Sequence, residues 1–278
     1  WVLDFSVDPA NPANSLITDL ELAPQDGQGR VHFKSDFSLL VPAAQGRSNK
    51  RLIVDVVNRG RRRVVGTFNR APLPSTDQWE VHPGDGFLFE HGYSVVSVGW
   101  QWDVFRSEIL MGLEPPVAVL EGNQIRGQVV VEMRPNEVER TRLLADRIHK
   151  PYPVFDLDEE DAMLLVRDWE DGPDTVVSRN QWRFAQETEN GIVPSHEHVH
   201  LESGFQPGKI YYIIYTTEGA PVVGTGLLAV REIATFFRHA SELNPVNEGF
   251  EKVFGYGVSQ TGRLLRHFLY LGLNLDEE

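Results

Sequence analysis

The chain contains no cysteine among its 278 residues. Disulfide bonds, thiol catalysis and cysteine-ligated metal sites are therefore excluded within it. No apolar run approaches the roughly 20 residues that a membrane-spanning helix needs, so we expect a soluble protein without a membrane span. Basic residues are in the minority, with 26 Lys and Arg against 40 Asp and Glu and a net charge of −14. Nucleic-acid-binding proteins carry a basic face, so we expect no nucleic-acid partner.

One stretch near the end of the chain, residues 254–262, reads Phe-Gly-Tyr-Gly-Val-Ser-Gln-Thr-Gly. The short segment before it becomes apolar towards the glycines, which predicts a strand. Apolar residues recur at helical spacing over residues 263–272, which predicts a helix. Ser259 then lies at a sharp turn between them, where the first N–H groups of the helix face any oxyanion. We interpret Ser259 as a candidate nucleophile.

The stretch departs at one position from the usual Gly-x-Ser-x-Gly nucleophile elbow. Gly257 fits the position two residues before the serine, but Thr261 stands two residues after it and the glycine is displaced to Gly262. A Gly-x-Ser segment before a helix also occurs as an ordinary N-cap or tight turn. This motif alone leaves both interpretations of Ser259 open.

The flanks of the stretch add a family resemblance. Residues 255–272 are similar to the nucleophile region of a largely uncharacterised α/β-hydrolase-domain family. Further segments of the same family resemble residues 58–60, 99–103, 208–216 and 221–232 of this chain. The resemblance implies an α/β fold, with a hydrolase-like, mostly parallel sheet and Ser259 as nucleophile, and says little about the natural substrate.

The remaining pattern predicts how this sheet is divided along the chain. Nearly continuous apolar runs at residues 51–57 and 93–100 predict strands that are buried on both faces. Residues 105–205 contain several β-rich segments that break the strand–helix rhythm and indicate an inserted antiparallel β layer. We therefore expect an N-terminal part of the hydrolase sheet at 1–104, the insertion at 105–205, and the rest of the core with the elbow at 206–278.

Three further elements are expected in the core. Residues 16–22 and 30–41 alternate loosely around a turn, which predicts an antiparallel hairpin at the sheet edge. Residues 209–216 are expected to form another buried strand. Residues 226–240 carry apolar side chains on one face and are expected to form a helix.

The resemblance also implies a reaction, the hydrolysis of a small-molecule ester through an acyl-serine, with no cofactor. The backbone N–H groups of Gln260 and of Arg59 or Gly60 would hold the developing oxyanion, because the loop after the strand at 51–57 is where α/β hydrolases place the second donor. The arginines that follow Gly60 are equally consistent with a solvated loop. Trp100, Gln101 and Trp102 follow another strand and are candidates for a substrate pocket, with ordinary core packing as the alternative.

The base and the acid that a serine nucleophile requires are not evident. His267 follows Ser259 by eight residues on the predicted helix, about 12 Å along its axis, which is too far for direct proton transfer. Asp276, Glu277 and Glu278 lie past the helix end. We therefore expect the sequence to be an N-terminal part of a longer hydrolase, with its catalytic acid and histidine beyond residue 278.

A cluster of histidines provides the alternatives. His196, His198 and His200 point to one face of an extended strand, as ligands of Zn²⁺ can do, although the spacing is a weak signal and a surface histidine strand is the simpler interpretation. The same histidines could reach Ser259 if the inserted layer folded over the elbow. The functions left open are a serine ester hydrolase, a metal-dependent hydrolase and a non-catalytic hydrolase-like binding domain. The compartment and the oligomeric state are also open.

Overall fold

A computed structural model of the chain describes residues 1–44, 46–72, 81–145, 149–239, 242–246, 249–275 and 277. The β-strands within these residues are β1 (Val2–Val7), β2 (Val31–Leu40), β3 (Arg51–Val56), β4 (Tyr93–Val98), β5 (Leu113–Glu114), β6 (Val117–Leu120), β7 (Asn123–Gln124), β8 (Arg126–Met133), β9 (Glu139–Leu143), β10 (Met163–Arg167), β11 (Thr175–Val177), β12 (Trp182–Arg183), β13 (Ala185–Thr188), β14 (Gly191–Pro194), β15 (His198–Phe205), β16 (Ile210–Glu218), β17 (Ala220–Pro221) and β18 (Lys252–Tyr256). The α-helices are α1 (Val64–Phe68), α2 (Phe87–Glu90), α3 (Thr225–Arg238) and α4 (Gln260–Tyr270), and short 3-10 helices lie at Pro12–Asn14, Leu20–Leu22 and Arg179–Gln181.

Two compact units make up the chain. The first comprises Trp1–Ala118 together with Pro221–Glu278, and the second comprises Val119–Ala220. The elbow, the loop after β3 and the tryptophan segment after β4 all belong to the first unit. The three histidines belong to the second. The inserted β layer predicted at residues 105–205 overlaps most of the second unit, but the bounds of the two differ.

The main sheet of the first unit has the strand order β1-β2-β4-β3-β18. β3 pairs in parallel with both β4 and β18, whereas β2 is antiparallel to β4 and to β1. The side chains of Leu52, Val54 and Val56 of β3 are at most 2% exposed. Parallel neighbours end at the same edge of a sheet, so the segments that follow β3, β4 and β18 emerge together there.

Helices cover both faces of the parallel strands. On one face, Ile53 of β3 clusters with Val64 of α1 and Leu88 of α2. Successive side chains of a strand point to opposite faces, and the adjacent Val54 shares a cavity wall with Val230 of α3. On this second face, the helix α3 contacts β3, β4 and β18. The apolar side of α3 is buried.

The second unit is built from antiparallel sheets. One sheet has the order β11-β10-β16-β8 and another the order β12-β15-β9, and β13 forms a hairpin with β14. Its core includes the fully buried side chains of Leu164, Phe205, Ile213 and Tyr215. The Tyr215 hydroxyl is satisfied inside this core because it donates to the Tyr152 carbonyl at 2.6 Å.

The fold class expected from the sequence is wrong. The structure is mostly β, with 37% strand and 17% helix. Its strands form several small antiparallel sheets, unlike the mostly parallel sheet of an α/β hydrolase. Among the described strands, parallel pairing occurs between β3 and β4 and between β3 and β18. In its described residues, the segment between β3 and β4 carries the short helices α1 and α2, of five and four residues, where a parallel crossover commonly uses one longer helix.

The hairpin partner expected for β2 is wrong, because β2 pairs with β1 and β4 and not with residues 16–22. The strand β1 ends before the prolines at positions 9 and 12, and its Phe5 packs on Phe33 with ring centroids 5.2 Å apart. The buried strand expected at 209–216 does form, but in another sheet. It is β16, which pairs with β8 and β10 in the second unit instead of joining the elbow's sheet.

No helix among the described residues combines the length and the apolar character needed to cross a membrane.

A buried carboxyl group links the central strands to α1. Asp55 of β3 is 1% exposed, and its Oδ2 accepts hydrogen bonds from the N–H groups of Arg63 and Val64 and from the Ser97 hydroxyl, at 2.9, 3.2 and 3.1 Å. Its Oδ1 is buried without a hydrogen-bond partner. Burial raises the pKa of the Asp55 carboxyl, although these three donors and the charge of Arg62 favour its ionised form.

We expect Asp55→Asn to remove a pH-dependent part of the free energy of unfolding. A carboxyl whose pKa is raised by folding stabilises the folded state below its unfolded pKa of about 3.9, and this contribution is lost as the pH rises through the folded-state pKa. The stability of the unmodified chain relative to Asp55→Asn should therefore fall as the pH rises above about 4. Urea unfolding at each pH measures it.

Asp171→Asn makes the same change of charge at an exposed position and is the matched control. A relative stability of the unmodified chain over Asp55→Asn that rises with pH would contradict the raised pKa.

Candidate active site

Ser259 lies at the turn between β18 and α4 in an uncommon backbone conformation. Its φ is 56° and its ψ is −113°, whereas an ordinary N-cap residue lies in the extended region. Its side chain makes no capping hydrogen bond and the residue is exposed. A non-glycine residue in such a conformation carries about 1–3 kcal/mol of strain, which the surrounding structure must hold. The N-cap interpretation does not describe this serine.

Gly257 allows the strand and the helix to approach each other. A Cβ atom added to Gly257 would lie 2.6 Å from the Thr261 carbonyl oxygen and 3.0 Å from the Gly262 nitrogen, both of them backbone atoms. Real Cβ contacts are essentially never this short, so only glycine fits at position 257 without a backbone shift. This close approach forces the chain to turn within Val258 and Ser259.

Thr261 accounts for the departure from the usual elbow pattern. The residue is fully buried, and its hydroxyl accepts a hydrogen bond from the Val258 N–H at 3.0 Å and donates to the Val258 carbonyl at 3.2 Å. A glycine at this position could not make these bonds. The threonine therefore closes the turn with a side chain, a role that sequence reasoning missed because it depends on the folded turn.

The loop after β3 is tied directly to the elbow. Asn58 is 8% exposed, and its Nδ2 donates to the Val258 carbonyl at 2.8 Å. Reciprocal backbone bonds of 2.9 and 3.0 Å join Asn58 and Arg61, and the two residues between them, Arg59 and Gly60, have φ values of 51° and 80°. These features make a tight turn beside the residue that precedes Ser259.

The proposed oxyanion donors come from these two segments. Gln260 is the first residue of α4, so its N–H has no partner within the helix and lies at the positive end of the helix dipole. Gly60 is fixed from the other side, since the Met111 N–H donates to the Gly60 carbonyl at 2.9 Å and an added Cβ would lie 2.9 Å from Val104 Cγ1. The Asn58 side chain, at the start of the Arg59–Gly60 turn, and the first turn of α4 thus both donate to the Val258 carbonyl.

The tryptophan segment lies at the same edge and lines a cleft of about 400 Å³. The indole N–H of Trp100 donates to the Val57 carbonyl at 2.8 Å, which fixes the ring against the end of β3. Gln101 is 8% exposed, and its Oε1 accepts a long hydrogen bond of 3.5 Å from Gln260 Nε2. Trp102 completes this wall of the cleft. The three pocket candidates therefore lie next to the residue that follows Ser259.

Sequence reasoning missed the opposite walls of the cleft. They consist of Val223, Gly224 and Leu227 near the start of α3, and of Leu264 and His267 on α4. The residues of α4 follow Gln260 at positions i+4 and i+7, so helical periodicity alone places them on one face with it. No sequence signal joins α3 to this cleft, because that contact depends on the tertiary packing of the helix.

The three histidines do not converge on one point. His196 precedes β15, and its Nδ1 pairs with the Val154 carbonyl at 2.6 Å. His198 pairs with the Ser195 hydroxyl at 3.1 Å, and the fully buried His200 with the Thr141 hydroxyl at 3.1 Å. Burial lowers the pKa of His198 against an opposing effect of the Glu197 charge. No cluster of three metal-ligating side chains occurs in the part of the chain that the structure describes.

Comparisons of the chain with protein families, with curated proteins and with solved structures gave no match. The family resemblance of the elbow segment therefore stays a prediction.

We expect Gly257→Ala to destabilise the first unit and to disrupt the elbow. The added methyl group meets two backbone atoms that cannot rotate away, and overfilling of this kind typically costs about 1–3 kcal/mol. Urea unfolding measures the loss. Gly127→Ala is the matched control, since an added Cβ there meets nothing within 4 Å. Equal stability of the two variants would contradict the close approach at Gly257.

Proposed function

We propose that the first unit carries a serine-dependent acyl hydrolase site in which Ser259 is the nucleophile. The observation that carries the proposal is the conformation of Ser259, which is strained, exposed and makes no capping bond at the start of a helix. An ordinary turn has no need of such a residue, because a relaxed N-cap serine stabilises a helix. In a nucleophile elbow the same conformation holds the hydroxyl where a substrate can reach it.

The chemistry follows from the groups around this hydroxyl. The Ser259 Oγ attacks an ester carbonyl carbon, and its proton passes to a base as the C–O bond forms. The negative charge that develops on the carbonyl oxygen is stabilised by the N–H groups of Gln260 and of Arg59 or Gly60, fixed donors that need no reorganisation. The alcohol then leaves with a proton, and water hydrolyses the acyl-serine to release the acid.

The histidines considered as bases have other roles in the structure. His267 lies two helical turns beyond Ser259, about 12 Å along the axis, and its ring stacks on Tyr270 with centroids 6.5 Å apart. The Nδ1 atoms of His196, His198 and His200 each pair with a neighbouring group of the second unit, as described above. We therefore design the test so that a small base in solution replaces a protein base. Ser259 is exposed, so such a base has access to it.

We expect an alkyl fluorophosphonate to modify Ser259 selectively, and added imidazole to speed the reaction. In this reaction the Ser259 Oγ–P bond forms, the P–F bond breaks, and imidazole takes the hydroxyl proton. The intact mass should show one adduct on the unmodified chain and none on Ser259→Ala, with the site assigned by peptide mapping.

Ser178→Ala is the matched control. Ser178 is also an exposed serine at a helix start without a capping bond, but its φ is −57° and ψ is 136°, both ordinary. This variant should still take up one label. An adduct that persists in Ser259→Ala, or an unmodified chain that takes up no label with imidazole present, would reject Ser259 as the nucleophile and favour a non-catalytic binding domain.

A further inference from the structure

In the part of the chain that the structure describes, the outer edge of β18 has no neighbouring strand. β18 is the last strand of the main sheet, and its one described partner is β3. An edge strand presents a row of backbone N–H and C=O groups that no neighbouring strand satisfies. Within β18, Gly255 is exposed, and a glycine inside a strand often marks a place where another backbone approaches closely. The backbone of this edge can therefore pair with a further strand.

An apolar cavity opens beside β18 on each face of the sheet. The larger cavity, of about 470 Å³, lies between the strands β3 and β18 and the helices α3 and α4, and Val253 contributes to its wall. The smaller cavity, of about 190 Å³, is lined by Phe68 of α1 together with Phe254 and Tyr256 of β18. Because successive side chains of a strand point to opposite faces, a strand added beside β18 would direct its side chains alternately towards the two cavities.

Large apolar side chains at both cavities remain exposed to water. Phe254, in the wall of the smaller cavity, is 47% exposed. Leu269 of α4, in the wall of the larger cavity, is 63% exposed. An added strand with apolar side chains would remove part of this surface from water, which favours its binding.

The charges at this edge favour an acidic partner. Arg238 lines the larger cavity, Lys252 begins β18, and Arg266 lies beside Leu269 on α4 because it precedes that residue by three positions. All three cations are exposed and form no ion pair with a described residue, in a chain whose net charge is −14. A second copy of β18 would bring like charges to this edge, whereas carboxylates would be attracted to it.

We propose that the outer edge of β18 binds an extended, acidic segment of a partner polypeptide as an added strand, with apolar side chains entering the cavities on both faces. In this mode of recognition the backbone hydrogen bonds provide affinity, and the pockets for alternate side chains provide specificity. The larger side chains of the partner fit the cavity under α3 and α4. This binding does not depend on the proposed chemistry of Ser259.

A fluorescein-labelled peptide, Glu-Leu-Val-Ile-Val-Leu-Glu with both ends capped, tests the proposal with the unmodified chain. In an extended conformation the peptide presents Leu and Ile on one face and Val on the other, with a carboxylate at each end. Its fluorescence anisotropy should rise to saturation at micromolar concentrations of the chain.

Two methylated forms of the peptide test whether it binds as a strand. One carries N-methyl groups on the two Leu nitrogens, and the other carries them on the two Val nitrogens. The N–H groups of an added strand point alternately towards β18 and away from it, so one methylated peptide should bind roughly tenfold or more weakly. The other should bind nearly as well as the parent peptide.

Exposed substitutions locate the binding at this edge. Leu269→Ser should weaken the parent peptide by roughly threefold or more, and Tyr270→Ser is its matched control, since Tyr270 is 85% exposed and lies outside the cavity wall. Arg238→Glu should weaken the peptide by roughly two- to tenfold, and a peptide with Gln in place of both Glu residues should not show this loss. Lys34→Glu makes the same change of charge on β2 and should leave binding unchanged.

No binding of the parent peptide, or equal binding of the two methylated peptides, would overturn the proposal. Binding that Leu269→Ser and Arg238→Glu both leave unchanged would place the peptide elsewhere and overturn it as well. Sedimentation equilibrium tests a second copy as the occupant. A dimer of the unmodified chain that becomes a monomer in Leu269→Ser, together with no binding of the peptide, would assign the edge to self-association instead.

Discussion

The close approach of Gly257 to Thr261 is the constraint on which the candidate site depends. With no side chain at Gly257, the backbone of the strand end lies against the first turn of α4. The Val258 carbonyl then accepts hydrogen bonds from the Asn58 side chain and from the backbone and hydroxyl of Thr261. Because these bonds hold Val258 in place, the chain must complete its turn from β18 into α4 at Ser259. The positive φ of Ser259 results from this turn.

The parallel pairing of three strands brings the other parts of the site to the same place. β3 leads into Asn58 and the Arg59–Gly60 turn, β4 leads into Trp100 and Gln101, and β18 leads into the elbow. The C-terminal ends of adjacent parallel strands share one edge of a sheet, which is where open sheets commonly bind ligands. A sheet that is largely antiparallel elsewhere thus brings a candidate nucleophile, candidate oxyanion donors and a cleft together through this short parallel part.

The sequence predicted the local elements of the site better than the fold around them. The glycines and the helical spacing after Ser259 indicated the turn because they act over a few residues. The fold class failed because the apolar runs of β3 and β4 resemble those of a large parallel sheet, whereas β16, an equally apolar run, pairs with antiparallel neighbours in the second unit. The bond from Asn58 to Val258 spans 200 positions of the chain, and the wall that Leu227 adds to the cleft depends on the packing of α3. Neither contact has a local sequence signal.

The central claim is that Ser259 is held in a strained conformation for reactivity and does not serve as a helix cap. The most direct measurement is the free energy of unfolding of Ser259→Gly relative to the unmodified chain, since glycine adopts a positive φ without steric strain. We predict that Ser259→Gly is more stable by about 1 kcal/mol, because release of about 1–3 kcal/mol of strain exceeds the entropic cost of an added glycine. A Ser259→Gly variant that is less stable than the unmodified chain, as loss of a capping serine would make it, would contradict the account.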